Sequence, residues 1–473
     1  MKIVMTHIKI GIVGAGSAGL FAANELGKAN LDAEIKIVEQ GPDIDKRYCP
    51  IKEEELACAQ CYPCKIMSGI GGAGAFSSGI LNLNKRIGGK LGELCDHANL
   101  NADQVIKEID DFFVQHGAPN KIFNPFDRNK KSKLRELRYK CASADIRFVP
   151  VKQRLLGSEN TPRIIKSIQN HLESEYNVKI IPNTRVRKFD ANQTLYFEDG
   201  SKQNFDYLLL APGRWGMRWL AEISLELGIK TFYEPLDIGV RVEVPSIIMD
   251  EVCNIQRDPK FHIITPTYND FVRTFCVNHK GHVVKETYEQ NIVGVNGHQF
   301  TTDGKSENTN FAFLIRQRLT SPLEDTTEYG YSITKQTSIL GGYKPLVQTL
   351  GDLRNGHRSR QSLIDRNPVH PTLKDATPGD IAMAFPYRFV TDILEGLQIM
   401  DKVIPGVNNN STLIYAPEFK RSAKRIDTNN YLESKQLNDI FFAGDGAGVS
   451  RGIVGAAVTG IIAAHGIISK IKS

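Results

Sequence analysis

An apolar run at residues 8–13 is followed by Gly14-Ala-Gly16-Ser-Ala-Gly19, an apolar-periodic stretch at 20–27, and a second apolar run at 34–38 that ends on Glu39. Strand, glycine turn, helix, strand and acid, in that order, is the arrangement a dinucleotide site requires. The first glycine permits the tight turn, the second lets backbone approach a pyrophosphate, and the third lets helix and strand pack closely. The unpaired N–H groups at the start of the helix favour phosphate, and Glu39 falls where an acid accepts ribose hydroxyls.

Two later segments point to a flavin dinucleotide rather than a nicotinamide one. Tyr207-Leu-Leu-Leu-Ala-Pro-Gly213 reads as a buried strand broken by Pro and Gly, and Ile440-Phe-Phe-Ala-Gly-Asp445-Gly-Ala-Gly448 as a strand entering a glycine turn with one acid. A small-residue helix over 452–468 follows. Its N-terminus suits the electron-rich edge of a flavin ring, and the Asp445 carboxylate suits a sugar-alcohol chain. No second GxGxxG unit for a nicotinamide occurs in mid-chain, since Leu340-Gly-Gly-Tyr343 lacks the spacing. NAD(P)H is therefore expected at most as a transient donor. Otherwise electrons come from another protein, or pass from substrate to oxygen or a quinone.

The segments Lys65-Ile-Met-Ser-Gly-Ile-Gly-Gly-Ala-Gly-Ala-Phe-Ser77 and Ala443-Gly-Asp-Gly-Ala-Gly-Val-Ser-Arg-Gly-Ile-Val454 resemble a family of FAD-dependent dehydrogenases, the NAD(FAD)-utilising dehydrogenases, within the glutathione-reductase-type flavoprotein superfamily. Ala211-Pro-Gly-Arg214, Asp237-Ile-Gly-Val-Arg-Val-Glu243, Arg273-Thr-Phe-Cys276 and Ile404-Pro-Gly406 extend the likeness over most of the chain. The resemblance implies that Gly14, Gly16, Ser17, Ala18, Gly19 and Glu39 hold the ADP half, with Val186, Ala211, Gly213 and Arg214 beside them. It implies that Gly71, Gly72, Ala73, Gly74, Ala75, Phe76 and Ser77 line the flavin. Gly444, Asp445, Arg451, Gly452, Ile453 and Val454 would close its ribityl and ring end. The family implies no particular substrate.

With 473 residues the chain can form two or three domains with proper cores, and 41% hydrophobic with 24% charged residues is an ordinary globular composition. Residues 1–13 read as leader plus first strand rather than a signal peptide, and 452–468 as a buried flavin-packing helix rather than a membrane span. A cytoplasmic protein is expected. The net charge is +6, and residues 128–140 hold seven Lys or Arg against the single acid Glu136. A solvated helix face is the simplest account, with an anionic partner such as nucleic acid as the alternative.

The expected fold is α/β: a Rossmann-type FAD domain, glutathione-reductase-like, carrying an inserted, mainly antiparallel sheet as substrate domain. Its FAD domain takes residues 1–110, 151–215 and 416–473, with a basic insertion at 111–150 and the substrate domain at 216–415. Helical periodicity marks 161–176. Short strands are read at 178–181, 185–189, 194–197 and 205–210, then at 238–244, 271–277 and 331–333.

Cys49, Cys58, Cys61 and Cys64 crowd just ahead of the glycines of residues 69–74. Four thiolates with this spacing suit an iron–sulfur centre, or less well a zinc ion. A redox dithiol exchanging electrons with a flavin is the third reading, and all three stay open at this point. The other four cysteines read as small buried hydrophobes.

No residue declares itself as the acid or base. Arg451, at a helix start, would place positive charge beside a reduced flavin. His357, Tyr343 and Tyr387 are candidate proton donors, and Arg241 a candidate for a substrate carboxylate. The first reading is an FAD-dependent oxidoreductase of a small or medium-sized organic substrate. A flavin-dependent RNA-modifying enzyme, whose RNA binding would depend on Lys130, Lys131 and Lys133, and a non-catalytic flavin or metal redox sensor are the alternatives.

Overall fold

The computed structural model describes residues 7–49, 61–77, 79–288, 292–299, 304–322 and 324–473. The chain divides into two compact units. Residues 1–121, 154–234 and 423–473 form the first, and residues 122–153 and 235–422 form the second, which interrupts the first in sequence.

The first unit is built on a five-stranded parallel sheet. Its strands are β1 (Ile8–Val13), β2 (Ala33–Val38), β3 (Lys179–Ile181), β4 (Tyr207–Leu210) and β5 (Ile440–Phe442), in the spatial order β5-β4-β1-β2-β3. Parallel strands covered on both faces read as unbroken apolar runs, and these do: Ile10, Ile12, Ile37, Leu208, Leu209, Phe441 and Phe442 have no solvent exposure. Helix α1 (Ser17–Lys28) joins β1 to β2, and α2 (Thr161–Tyr176) precedes β3. Ile164, Ile165, Ile168 and Leu172 of α2 are buried on one face, as their spacing predicts, and Asn177 ends the helix in the left-handed conformation (φ 52°).

Helix α3 (Gly452–Lys472) closes the unit. Among the described residues it alone is long and apolar enough to cross a membrane, yet 67% of its apolar window is buried within the fold. Its glycines explain how it packs. A Cβ on Gly460 would lie 2.1 Å from the Ala18 carbonyl oxygen, so only glycine lets α3 approach α1 this closely.

Strand order reverses at β1. From β1 the chain steps outward to β2 and β3, then returns to β4 on the other side. In open α/β sheets the crevice beyond the carboxyl ends of the strands at such a reversal is where ligands bind.

The second unit contains an eight-stranded sheet in the order Thr377–Pro378, Leu346–Thr349, Leu413–Lys420, Leu236–Pro245, Asn308–Gln317, Phe271–Asn278, Lys260–Ile264, Arg147–Val149. All neighbours are antiparallel except the first pair. One face is apolar: Ile263, Val272, Ile315, Ile238 and Phe419 lie in one row across five strands, all buried. Residues of the helices Ser246–Ile255 and Tyr387–Asp401 pack in the same core, among them Met249, Val252, Ile393 and Leu397. The architecture is thus a Rossmann-type α/β unit interrupted by a mainly antiparallel sheet unit.

Residues 122–153, set apart by composition as part of a basic insertion, belong to this second unit. They supply the helix Lys131–Ser143 and the edge strand Arg147–Val149. One expected strand is a helix instead. Residues 331–333 lie inside the helix Thr326–Leu340. Its buried face sets Ile333 alone among Thr326, Gly330, Thr334, Thr337 and Ser338, so a face mostly of small and hydroxylic residues carries no apolar period. The Thr334, Thr337 and Ser338 hydroxyls donate to carbonyls one turn back, satisfying themselves within the helix.

Candidate functional site

The turn after β1 is made by Gly14, whose φ of +102° and whose neighbour both exclude a side chain: a Cβ there would lie 2.2 Å from the Ala211 carbonyl oxygen after β4. A Cβ on Gly19 would in turn lie 2.0 Å from the Gly14 carbonyl oxygen, which is the close helix–turn approach the third glycine was expected to allow. Gly16 is the residue before α1. No side chain caps this helix and no acid occupies its first turn, so the backbone N–H groups of its first turn are left for an anion.

A second glycine loop lies on this turn. The Gly71 N–H donates to the Ala15 carbonyl (2.8 Å), and a Cβ on Gly72 would lie 3.1 Å from the Gly16 Cα. A Cβ on Gly74 would meet the Ile453 side chain at 3.1 Å and the Ser17 hydroxyl at 4.0 Å. Three segments far apart in sequence, 14–19, 71–77 and 452–454, therefore meet at one place. The turn Ala443–Gly448 joins them, since a Cβ on Gly444 would lie 3.2 Å from Ala18 Cβ and one on Gly446 would lie 2.3 Å from the Gly213 carbonyl oxygen. Val186 is buried on a neighbouring strand, two residues from Thr184, whose N–H donates to the Glu39 carbonyl (2.8 Å).

Two carboxylates stand at the strand ends. Glu39, buried, accepts the Ala15 N–H on Oε2 and the Gly41 and Gly69 N–H groups on Oε1, each at 2.9 Å. Asp445 accepts Arg214 Nε (3.0 Å) and the Gly452 N–H (3.1 Å) on Oδ2, and the Ser450 hydroxyl (3.0 Å) on Oδ1. A carboxylate offers about four acceptor positions. The bonds named here, all among the described residues, take three on each acid. Arg451 sits at the N-cap of α3, its N–H donating to the Gly88 carbonyl (2.8 Å).

Arg47 is the residue that motif reading missed. Its buried guanidinium donates to the carbonyls of Lys65 (2.8 Å), Ile66 (2.6 Å), Ile70 (2.9 Å) and Gly72 (2.8 Å) and lies 4.6 Å over the Phe76 ring. Burial pulls its pKa down to about 10, with the Glu39 charge pulling the other way, so it stays cationic at neutral pH. One side chain thus holds the whole 65–76 loop. A lone arginine in a polar loop gives no pattern by which to find it.

Cys58 lies outside the described residues, while Cys49, Cys61 and Cys64 are half-buried free thiols. Among the described residues no three His, Cys, Asp or Glu side chains gather as a metal site.

The acid, base and anion-binding candidates fall in the second unit, apart from Arg451. His357 is exposed, and Tyr343 and Tyr387 are 57% and 78% exposed. Arg241 is the residue whose setting differs most from expectation. It is fully buried, its Nε and Nη2 donate to Glu418 at 2.6 and 2.8 Å, and Nη1 donates to Asn310 at 2.8 Å and the Cys276 carbonyl at 3.2 Å. A guanidinium so committed holds strands together and does not meet an incoming carboxylate. Glu243, two residues on, pairs instead with the hydroxyls of Tyr415 and Thr372, and burial raises its pKa.

No family model matches the chain. A relative from Clostridium beijerinckii, described only as an uncharacterized protein, is 26% identical over 485 residues, covering 97% of this chain and 80% of the relative. Solved structures overlay at low scores. A 2-methyl-3-hydroxypyridine-5-carboxylic acid oxygenase has a TM-score of 0.36 at 10% identity, covering 99% of this chain and 83% of its own. L-proline dehydrogenase from P. horikoshii (TM-score 0.37, 11% identity, 98% and 94% covered) and glycine oxidase from Bacillus cereus (0.37, 11%, 98% and 96%) are similar in the same degree. The strand order and the site geometry stand independently of these overlays.

Proposed function

We propose that the chain is an FAD-dependent oxidoreductase acting on a small or medium-sized organic substrate. The observation that carries this reading is the gathering of three glycine turns and two carboxylates beyond the carboxyl ends of β1, β2, β4 and β5. A nicotinamide site needs only the β1–α1–β2 part. The return of the chain through Gly213, Asp445 and α3 supports the longer cofactor.

The residues present fit FAD. Gly213 and Gly452 both have positive φ (63° and 83°), and a Cβ on either would meet nothing within 4 Å, so the backbone there borders open space. The first-turn N–H groups of α1, at Ser17, Ala18 and Gly19, would take the pyrophosphate, and Glu39 the adenosine ribose. Asp445 would take a ribityl hydroxyl, while residues 71–77 and Ile453 would lie along the ring. When bound, the flavin supplies the electron acceptance that the side chains lack. The chain's own part is to hold and tune it: Arg451 and the start of α3 favour negative charge at the adjacent edge. A nicotinamide donor, if used, would dock without a Rossmann unit of its own. Cys61 and Cys64, immediately before the loop held by Arg47, would have a redox or ligand role in this reading.

Titration of cofactor-stripped protein with FAD, FMN and NAD, followed by fluorescence, tests the reading. FAD is expected to bind at least 100-fold more tightly than either, and Gly14→Val to abolish binding because the new side chain collides with Ala211. FAD binding no tighter than NAD would contradict it.

A further inference from the structure

The second sheet has two faces of opposite character. Residues directly opposite on antiparallel strands share a face. The face away from the apolar core therefore carries the row Arg147, His262, Arg273, Leu314, Gly239, Glu418, and beside it the row Phe271, Arg316, Asp237, Lys420. The hairpin strand Val293–His298 covers one end of this face, where Gly297 lies so close to Arg241, Asn278 and Asn310 that a Cβ would be 2.0–2.5 Å from their side chains. The rows named above hold the other end.

At that end cations outnumber acids. Asp237, fully buried, accepts Arg273 Nη2 (2.9 Å), Arg316 Nε (3.0 Å) and Arg316 Nη2 (3.3 Å), so one carboxylate serves two guanidiniums. Among the described residues Arg316 Nη1 takes part in no hydrogen bond and Arg147 in no ion pair. The two central guanidiniums lie on aromatic rings, Arg316 5.3 Å from the Phe271 centroid and Arg273 4.9 Å from that of Phe275. The His262 ring meets Phe271 edge-on at 5.0 Å. Burial, together with the charges of Arg273, Arg147, Arg316 and Lys260, drives the His262 pKa down to about 4, which registers the positive potential of this face. Lys260 is itself paired with Asp258.

We propose that this face binds a planar organic carboxylate, the acid group on the free edge of Arg316, the flat body against Phe271, and the charge of Arg147 adding to the attraction from the edge strand. A guanidinium stacked on a ring keeps its N–H edge directed outward, the geometry that takes a carboxylate in two parallel hydrogen bonds. Flat apolar rings beside a few convergent donors are the usual lining of a small-molecule site. The neutral His262 imidazole adds one donor or acceptor without adding charge. The proposal rests on the oxidoreductase reading only in naming this carboxylate as the substrate class, since the binding itself requires no flavin.

Calorimetric titration of the purified full chain with benzoate and with neutral benzamide tests it, the flavin absorbance of the same sample being recorded. Benzoate should bind at least tenfold more tightly than benzamide. Arg316→Gln should remove that preference, and Arg147→Gln, at the exposed position of an edge strand, should weaken benzoate at least threefold. Equal binding of the two probes, or benzoate binding unchanged in both variants, would overturn the proposal. A sample lacking flavin that still shows the arginine-dependent preference would support this site while refuting the oxidoreductase reading. A flavin-loaded sample without the preference would do the reverse.

Discussion

The Ala15 N–H donates to the Glu39 carboxylate across 2.9 Å, tying the turn after β1 to the end of β2. Because Glu39 also accepts the Gly69 N–H, the same acid fixes the second glycine loop against the first. Position 39 is thereby a strut of the apoprotein and, in the proposed reading, the acceptor offered to a ribose.

Glu39→Gln separates these parts. The amide keeps one acceptor but turns an N–H₂ toward one of the three backbone donors. Removing an acceptor from a buried donor costs about 1–3 kcal/mol. Urea unfolding of the cofactor-free protein should show a loss of that size, and FAD titration a weakening of more than tenfold. Unchanged affinity would separate Glu39 from the cofactor.

Arg47→Ala should be more damaging to the loop than to the fold. It frees four carbonyls, each having lost a charge-assisted donor of about 1.5–3 kcal/mol, yet they lie in one short segment that can open to water. Limited proteolysis is expected to cut within 65–76 in the variant and not in the parent, with retention of the β1–α1–β2 core. Arg47→Lys should rescue only partly, since an ammonium cannot reach four carbonyls in the plane of a guanidinium.

His116 sets a pH dependence of stability. Its ring packs on Phe112 at 4.5 Å and on His171 at 5.0 Å, and its Nδ1 pairs with the Ser167 hydroxyl at 2.9 Å. Burial, then the neighbouring His171, lowers its pKa to about 4 from an ordinary 6.5. The unfolded chain therefore takes up the proton first as the pH falls, and stability drops between pH 6.5 and 4. From pH 7.5 to 5 the expected loss from this residue is about 2 kcal/mol. His116→Phe should flatten that part of the urea-midpoint profile, and an unaltered slope would show that another group titrates.

Much of the first unit was legible because its signals are local. A glycine turn between an apolar run and a periodic helix has few alternatives, and the α2 boundaries follow from Ile164, Ile165, Ile168 and Leu172 at helical spacing. The helix Thr326–Leu340 was not legible, because glycine and hydroxyl residues on its buried face leave no apolar period. Nor was the setting of Arg241, whose partner Glu418 lies 177 residues away on the neighbouring strand. The covered and cationic faces of the second sheet became distinguishable only once register placed Arg147, His262 and Arg273 in one row. Pairing across a sheet is a long-range property, and a single strand reports only its alternation.

The most direct measurement is the absorbance spectrum of the protein as purified under anaerobic conditions, with the cofactor released by denaturation and identified by mass. The account predicts a flavin spectrum and about one FAD per chain. Protein that is folded, colourless and unable to take up added FAD would contradict it.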